Sequence, residues 1–135
     1  MAIGKLGVVG AGMMGSEIGL VSAMAGCAVI VQDTDDGATG SLHARLGKIL
    51  DKGVERGLYE AAHKDAALAN LTTTASLDDF AERDLVIEAA VEDAGVKGEI
   101  FRRLDGLCRP DCIITSNTST ISILSLSASF APERR

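Results

Sequence analysis

Tryptophan is missing from this chain, and aromatic residues of every kind make up only 3% of it. That shortage excludes the stacking platforms on which single-stranded nucleic acids are held. Positive charge is also short: Lys and Arg number 13 against 19 Asp and Glu, for a formal net charge of −6. With no basic cluster, nucleic acid as a partner has no electrostatic footprint. Cysteine is sparse at three, namely Cys27, Cys108 and Cys112. The number is odd, and neither Cys108 nor Cys112 has flanking His or Cys at zinc-site spacing, so no metal site is expected. They read as reduced, partly buried thiols of a cytoplasmic protein. Histidine occurs twice, at His43 and His63, with no acid at an orienting distance in sequence, and both read as surface residues rather than catalytic bases. A stretch of about 20 unbroken apolar residues, as a membrane span needs, is also absent. The nearest approach is Leu6 to Gln32, where Glu17 is the single charge. Glycines 7, 10, 12, 15 and 19 interrupt it. A buried parallel strand followed by a small-residue helix explains that run better than an export signal does.

What is present is the material of one globular domain. The chain has 135 residues, 47% hydrophobic and 24% charged, enough to bury a core. Its informative excess is 15 glycines. Lys5 to Val9 reads as a short buried strand leading into Gly10-Ala11-Gly12-Met13-Met14-Gly15. A helix follows, with Met14, Ile18, Val21 and Ala25 expected on its inner face and Gly26 as its stop. Ala28 to Val31 is a second buried strand, with Asp33 just beyond it. Between about residues 36 and 70 the spacing of Leu42, Leu46, Ile49, Leu50 and Val54, then of Ala61 to Leu68, predicts an inserted helical hairpin. Leu71 to Thr74, Asp84 to Ala89 and Cys112 to Ser116 read as further strands. Ser76 is positioned to cap a short helix, and a longer one is expected from about Glu92 to Leu107. Gly95 and Gly98 weaken that longer helix. Strands alternating with helices predict an α/β, Rossmann-like, doubly wound parallel sheet in the order 3-2-1-4-5.

The chemistry lies where strands end. In Gly10-x-Gly12-x-x-Gly15, Gly10 permits the tight turn, Gly12 lets a pyrophosphate approach the backbone, and Gly15 lets the helix pack on the sheet. The free amides and positive dipole end of the helix then hold the anion. Asp33 follows Gly10 by 33 − 10 = 23 residues, near the spacing of an acid that binds the adenosine ribose hydroxyls. With Asp35 and Asp36 beside it and no Arg following, that acid favours NAD over NADP. Glu88 and Glu92 lie at the mouth of the crevice, and Lys97 is five residues further on. They could orient a nicotinamide ribose or a substrate; equally, the acids could complement a helix dipole while Lys97 stands on a solvated face. Ser116-Asn117-Thr118-Ser119-Thr120 offers hydroxyl and amide groups on the same side of the sheet, or simply caps a helix.

Together, Gly10-Ala11-Gly12-Met13-Met14-Gly15, Asp33, the segment Asp84-Leu85-Val86-Ile87-Glu88-Ala89-Ala90-Val91-Glu92-Asp93 and Ser116-Asn117-Thr118-Ser119 closely resemble the NAD-binding domain of the L-3-hydroxyacyl-CoA dehydrogenase family. The resemblance covers nearly the whole chain. It implies oxidation of the 3-hydroxyl of an acyl-CoA, as in fatty-acid β-oxidation, with NAD as hydride acceptor. It implies that the loop from Gly10 through Ala11, Gly12, Met13 and Met14 to Gly15 holds the pyrophosphate and Asp33 the adenosine ribose. Glu92, Lys97 and Ser119 would lie near the nicotinamide, and Ser119 would contact the reacting oxygen of the substrate. Asn117 and, as a phosphate contact on the hairpin, Arg56 complete the substrate residues. The family's general base, a His in a "GLHFFNP"-like block, follows a segment like Pro132-Glu133-Arg134, whereas this sequence runs to Arg135. The substrate and dimerisation domain is therefore expected to be absent, and the isolated chain to bind NAD without turning over acyl-CoA. Apolar surface is expected around Ile121, Ile123, Leu124 and Leu126. A non-catalytic NAD or acyl-CoA binding module, or an L-gulonate-type dehydrogenase of a free hydroxy acid, are the other readings.

Overall fold

The computed structural model describes residues 3–132. In chain order the elements are β1 (Lys5–Val9), α1 (Met13–Met24), β2 (Ala28–Gln32), α2 (Asp36–Glu55), α3 (Ala61–Ala69), β3 (Leu71–Thr74), a 3₁₀ turn over Leu77–Phe80, β4 (Leu85–Glu88), α4 (Ala94–Leu107), β5 (Ile113–Ser116) and α5 (Ile123–Ser127). The five strands form one sheet in the order β3-β2-β1-β4-β5. All four pairings are parallel, with Val8 beside Val31 and Ile87, and Val29 beside Leu71. The expected topology is therefore the observed one.

Two apolar layers explain why it holds. On one side of the sheet, Leu20 and Ala23 of α1, Leu42, Leu46 and Leu50 of α2 and Ala67 of α3 cover Val8, Val29, Val31 and Leu71. On the other, Leu104 and Cys108 close over Val9, Phe80 and Val86. Strands with helices on both faces are apolar on both, which is why they read as short unbroken hydrophobic runs. Among the described residues, no helix is long and apolar enough to cross a membrane.

The inner face of α1 differs from the expectation. Gly15, Ser16, Gly19, Leu20 and Ala23 are buried, whereas Met14 is exposed and Val21 is 67% exposed. The helix lies so close to the sheet that a Cβ on Gly19 would stand 2.9 Å from Val31 Cγ2. Small residues, not the largest apolar ones, therefore mark its packed face. Ile49 of α2 is likewise exposed rather than part of the core.

Local capping follows the chemistry of the side chains. Asp35 accepts the Gly37 and Ala38 amides to start α2, Ser76 accepts the Asp78 amide at the 3₁₀ turn, and Asp93 accepts the Val96 amide to start α4. α4 thus begins two residues after Glu92. Phe130 packs edge-on against Phe101 with ring centroids 5.2 Å apart, tying the end of the described chain to α4. In α5, Ile123 and Leu124 are exposed as expected, but Leu126 is 3% exposed, buried from a one-turn helix.

Candidate functional site

The glycine turn lies where β1 becomes α1. Gly10 takes φ +105, its N–H donates to the Gln32 carbonyl at 2.7 Å, and a Cβ there would be 2.6 Å from the Ala89 oxygen. Both the conformation and the space demand glycine. Gly12 is the N-cap of α1, and a Cβ on it would meet nothing within 4 Å. Its bare backbone opens outward, as a ligand's phosphate requires. Gly15 makes the close approach expected of it, with β1 through Val8 Cγ1, 3.3 Å from where its Cβ would stand, and more tightly still with the turn. A Cβ on it would overlap the Gly10 carbonyl oxygen, so Gly15 also closes the turn on itself, and Gly19 makes a second close approach to the sheet, at Val31. Ala11 is buried, whereas Met13 and Met14 are exposed. The first-turn amides of α1, from Met13, Met14 and Gly15, have no intrahelical acceptor and present the positive end of the helix dipole.

Asp33 stands across this turn. Its Oδ2 accepts the Ala11 N–H at 2.7 Å and its Oδ1 the Asp35 N–H at 3.0 Å. Between the ends of β1, β2 and β4 lies a cavity of about 640 Å³, the size of a cofactor site. Gly10, Gly12, Gln32, Asp33 and Thr34 form one wall, Leu77, Val96 and Ile100 an apolar one, and Gly95, Glu99 and Arg103 the α4 side. A Cβ on Gly95 would meet the Asp93 carboxylate at 3.2 Å, and Gly98 lies against the Ser129 hydroxyl. Ile100 lines the cavity and also packs against the core on that side of the sheet. Arg45 of α2 was missed in the sequence: its Nη2 donates to the Ala11 carbonyl at 3.0 Å and to Ser16 Oγ at 3.2 Å. A lone Arg in a helix carries no sequence signal for such a contact.

Beyond this cavity, over the ends of β4 and β5, the polar residues gather. Glu88 and Lys97 are 0% and 1% exposed, with Lys97 Nζ 2.7 Å from Glu88 Oε1. The solvated-face reading of Lys97 is therefore wrong, because the start of α4 turns that side chain under the end of the sheet. Lys97 Nζ also lies 3.3 Å from Glu92 Oε2 and donates to the Ala90 carbonyl at 3.2 Å. Glu92, 45% exposed, accepts the Thr118 hydroxyl and, at 2.6 Å, the Thr120 hydroxyl. The Asn117 N–H donates to the Glu88 carbonyl at 2.7 Å. Ser119 is exposed, between the two threonines that Glu92 holds. Arg56 is not brought here. It caps the far end of α2, about 30 Å along that helix from the Asp33 end.

The Thr118 and Thr120 hydroxyls, more than Lys97, hold the Glu92 carboxyl down to about 2 from its ordinary 4.5. A carboxyl depressed by folding contributes stability that is complete above its unfolded value and fades as pH falls through its folded one. Thermal melts of the chain should therefore lose Glu92's contribution between pH 4.5 and about 2. Glu92→Gln should flatten that part of the acid limb, and an unchanged limb would show the loop contacts to be inert.

A parallel doubly wound sheet, a glycine turn at a helix N-terminus and an acid at the end of the second strand define a dinucleotide-binding domain. Residues 5–135 match the family described as 3-hydroxyacyl-CoA dehydrogenase, NAD binding domain. The chain is 43% identical over 135 residues to a 3-hydroxybutyryl-CoA dehydrogenase of Mycobacterium tuberculosis, covering 99% of this chain and 47% of the relative. It is 41% identical over 122 residues to the fatty acid oxidation complex subunit alpha of Colwellia psychrerythraea, covering 90% of this chain and 17% of that protein. The crystal structure of M. tuberculosis FadB2 superposes with a TM-score of 0.95 at 43% identity, covering all of this chain and 48% of that one. The chain belongs to the 3-hydroxyacyl-CoA dehydrogenase family, as its NAD-binding domain, and the cofactor of that domain is NAD. It spans about half the length of the 3-hydroxybutyryl-CoA dehydrogenases that it matches.

Proposed function

We propose that this chain is the cofactor half of a dehydrogenase that oxidises an L-3-hydroxyacyl-CoA to the 3-ketoacyl-CoA. The observation that carries the reading is the cavity whose one wall brings the bare Gly10 and Gly12 backbone together with the Asp33 carboxylate. The pyrophosphate would lie on the first-turn amides of α1. Asp33 would accept hydrogen bonds from the adenosine ribose hydroxyls, exchanging its present hold on the Ala11 N–H for a ligand's donors. With Asp35 and Asp36 next to it, it would repel a 2′-phosphate. Leu77, Val96 and Ile100 would take the adenine on an apolar surface. Bound NAD would supply the hydride acceptor. Glu92 and Lys97 would hold the nicotinamide end, while Ser119, with Asn117 near it, would meet the substrate oxygen and Arg56 a CoA phosphate. The same proposal has the chain act in the cytoplasm and pair with a substrate and dimerisation domain.

Titration with NADH, followed by its fluorescence, tests the reading. Asp33→Ala should weaken binding by about 1.5–3 kcal/mol, the range for a charged hydrogen bond. Equal affinity in the variant would remove Asp33 from the site.

We further propose that the isolated chain does not oxidise 3-hydroxybutyryl-CoA. The hydroxyl proton needs a base within hydrogen-bond reach. Both histidines lie near the edge where strands begin: His43 Nε2 bonds the carbonyl of Leu71, the first residue of β3, at 2.8 Å, and His63 lines a small cavity with Ala23, Met24 and Gly26. Neither approaches Ser119. NADH production by the pure 135-residue chain would overturn this.

A further inference from the structure

We propose that Glu88 is a positioning residue for the nicotinamide half of the site, acting through Lys97 and the 116–120 loop without touching the ligand. The inference rests on the proposed NAD reading and deepens it, because nothing in that reading gives Glu88 a role.

Glu88 occupies a position that the fold would fill with an apolar residue. It ends β4 two residues after Val86, on the same face of the strand, and both are fully buried. A carboxylate so placed is costly unless both its oxygens are satisfied. Here they are. Oε1 accepts the Ala90 N–H and a Lys97 Nζ proton, each at 2.7 Å. Oε2 accepts the Ser116 hydroxyl at 2.5 Å.

Those bonds form part of a closed ring. The Ser116 hydroxyl oxygen accepts the Thr118 N–H at 3.2 Å. The Thr118 hydroxyl donates to Glu92. Glu92 pairs with Lys97, and Lys97 returns to Glu88. The ring joins the end of β4, the first turns of α4 and the loop after β5; strand pairing there reaches only Glu88 and Ser116, with the Asn117 N–H on the Glu88 carbonyl, so the tie to α4 is made by side chains. The residues expected to meet the nicotinamide and substrate are either members of it, as Glu92 and Lys97 are, or adjoin its members, as Asn117 does between Ser116 and Thr118 and Ser119 does between Thr118 and the Thr120 that Glu92 also holds. Replacing a buried ion pair by apolar residues is often neutral for stability, so packing alone does not account for Glu88. The adenosine side has its own attachments through Asp33 and Arg45 and none of this ring. Breaking the ring should therefore split the two halves of the cofactor.

The test compares NADH with ADP, which carries only the adenosine diphosphate half. Glu88→Leu should weaken NADH binding by about tenfold or more while leaving ADP within about twofold, as loss of charged hydrogen bonds on one side implies. Glu88→Gln, which keeps the shape and an acceptor for Lys97, should recover most of the NADH affinity. Ser116→Ala opens the ring without stranding a charge and should show the same split, at about threefold, even where Glu88→Leu fails to fold. Overturning results are unchanged NADH affinity in Ser116→Ala and in any folded Glu88→Leu, or NADH and ADP weakening by the same factor. A wild-type chain that binds neither ligand would remove the NAD reading itself, and this inference with it. A wild type that binds both, with no split in the variants, would remove this inference alone.

Discussion

Lys97→Met should cost the domain about 3–5 kcal/mol of stability, the penalty of stranding a buried charge. Glu88 would remain with no solvent exposure, one of its two Oε1 donors gone and no cation beside it. Glu92, itself anionic, would add repulsion rather than relief. Domains of this kind are stable by about 5–15 kcal/mol in total, so the variant should unfold at much lower denaturant. Lys48→Met is the control: Lys48 is exposed on α2, and surface changes of that kind stay within about 0.5 kcal/mol. Urea unfolding of both variants checks the claim. Equal midpoints would mean that Lys97 is not neutralising a buried acid.

Gly15→Ala should be destabilising although it adds the best helix former to a helix. Its Cβ would overlap the Gly10 carbonyl, with Val8 Cγ1 at 3.3 Å on the other side. Backbone, unlike the tip of a side chain, cannot step aside cheaply, and overpacking of this sort costs about 1–3 kcal/mol. The glycine turn would have to shift, and NADH affinity should fall along with the melting temperature. Gly40→Ala in α2 gives the opposite sign. A Cβ there meets nothing within 4 Å, so the usual helix preference of up to about 1 kcal/mol applies in full. Should Gly15→Ala melt as high as Gly40→Ala, the close approach at the turn would be disproved.

How readable each part was from the sequence depends on the range of its interactions. The turn needs Gly10 because the backbone there has positive φ, a local demand that glycine meets at no cost and other residues do not. Asp33 was legible because a strand of fixed length separates it from the end of α1. Ser76 was legible as a cap because its hydroxyl reaches an amide only two residues on. The inner face of α1 was only partly legible: Ile18 packs on the core as its spacing predicts, but Met14 and Val21 are as apolar as what the sheet buries. Only the distance between helix and sheet selects glycines and alanine over them. Lys97 has the same history: a lysine in a helix reads as solvated until the chain folds Glu88 beneath it. Leu126 exchanged its expected surroundings for a related reason, because a one-turn helix has no periodicity to read.

By itself, then, the order of residues determined the succession of strands and helices, the parallel order of the sheet, the glycine turn and the acid that faces it. The elements, the turn and the acid follow from backbone preference and short separations, and the sheet order, which pairs β1 with a β4 about 80 residues on, follows from the handedness rule for strands alternating with helices. Only the tertiary structure decided which face of α1 is covered, that Arg45 reaches the glycine turn from a helix some 30 residues later, and that two acids, a lysine and two hydroxyl residues close into a ring. Those depend on contacts between segments far apart in the chain. There the choice between water and a buried partner is set by the space that folding leaves, and no local pattern of residues encodes that space.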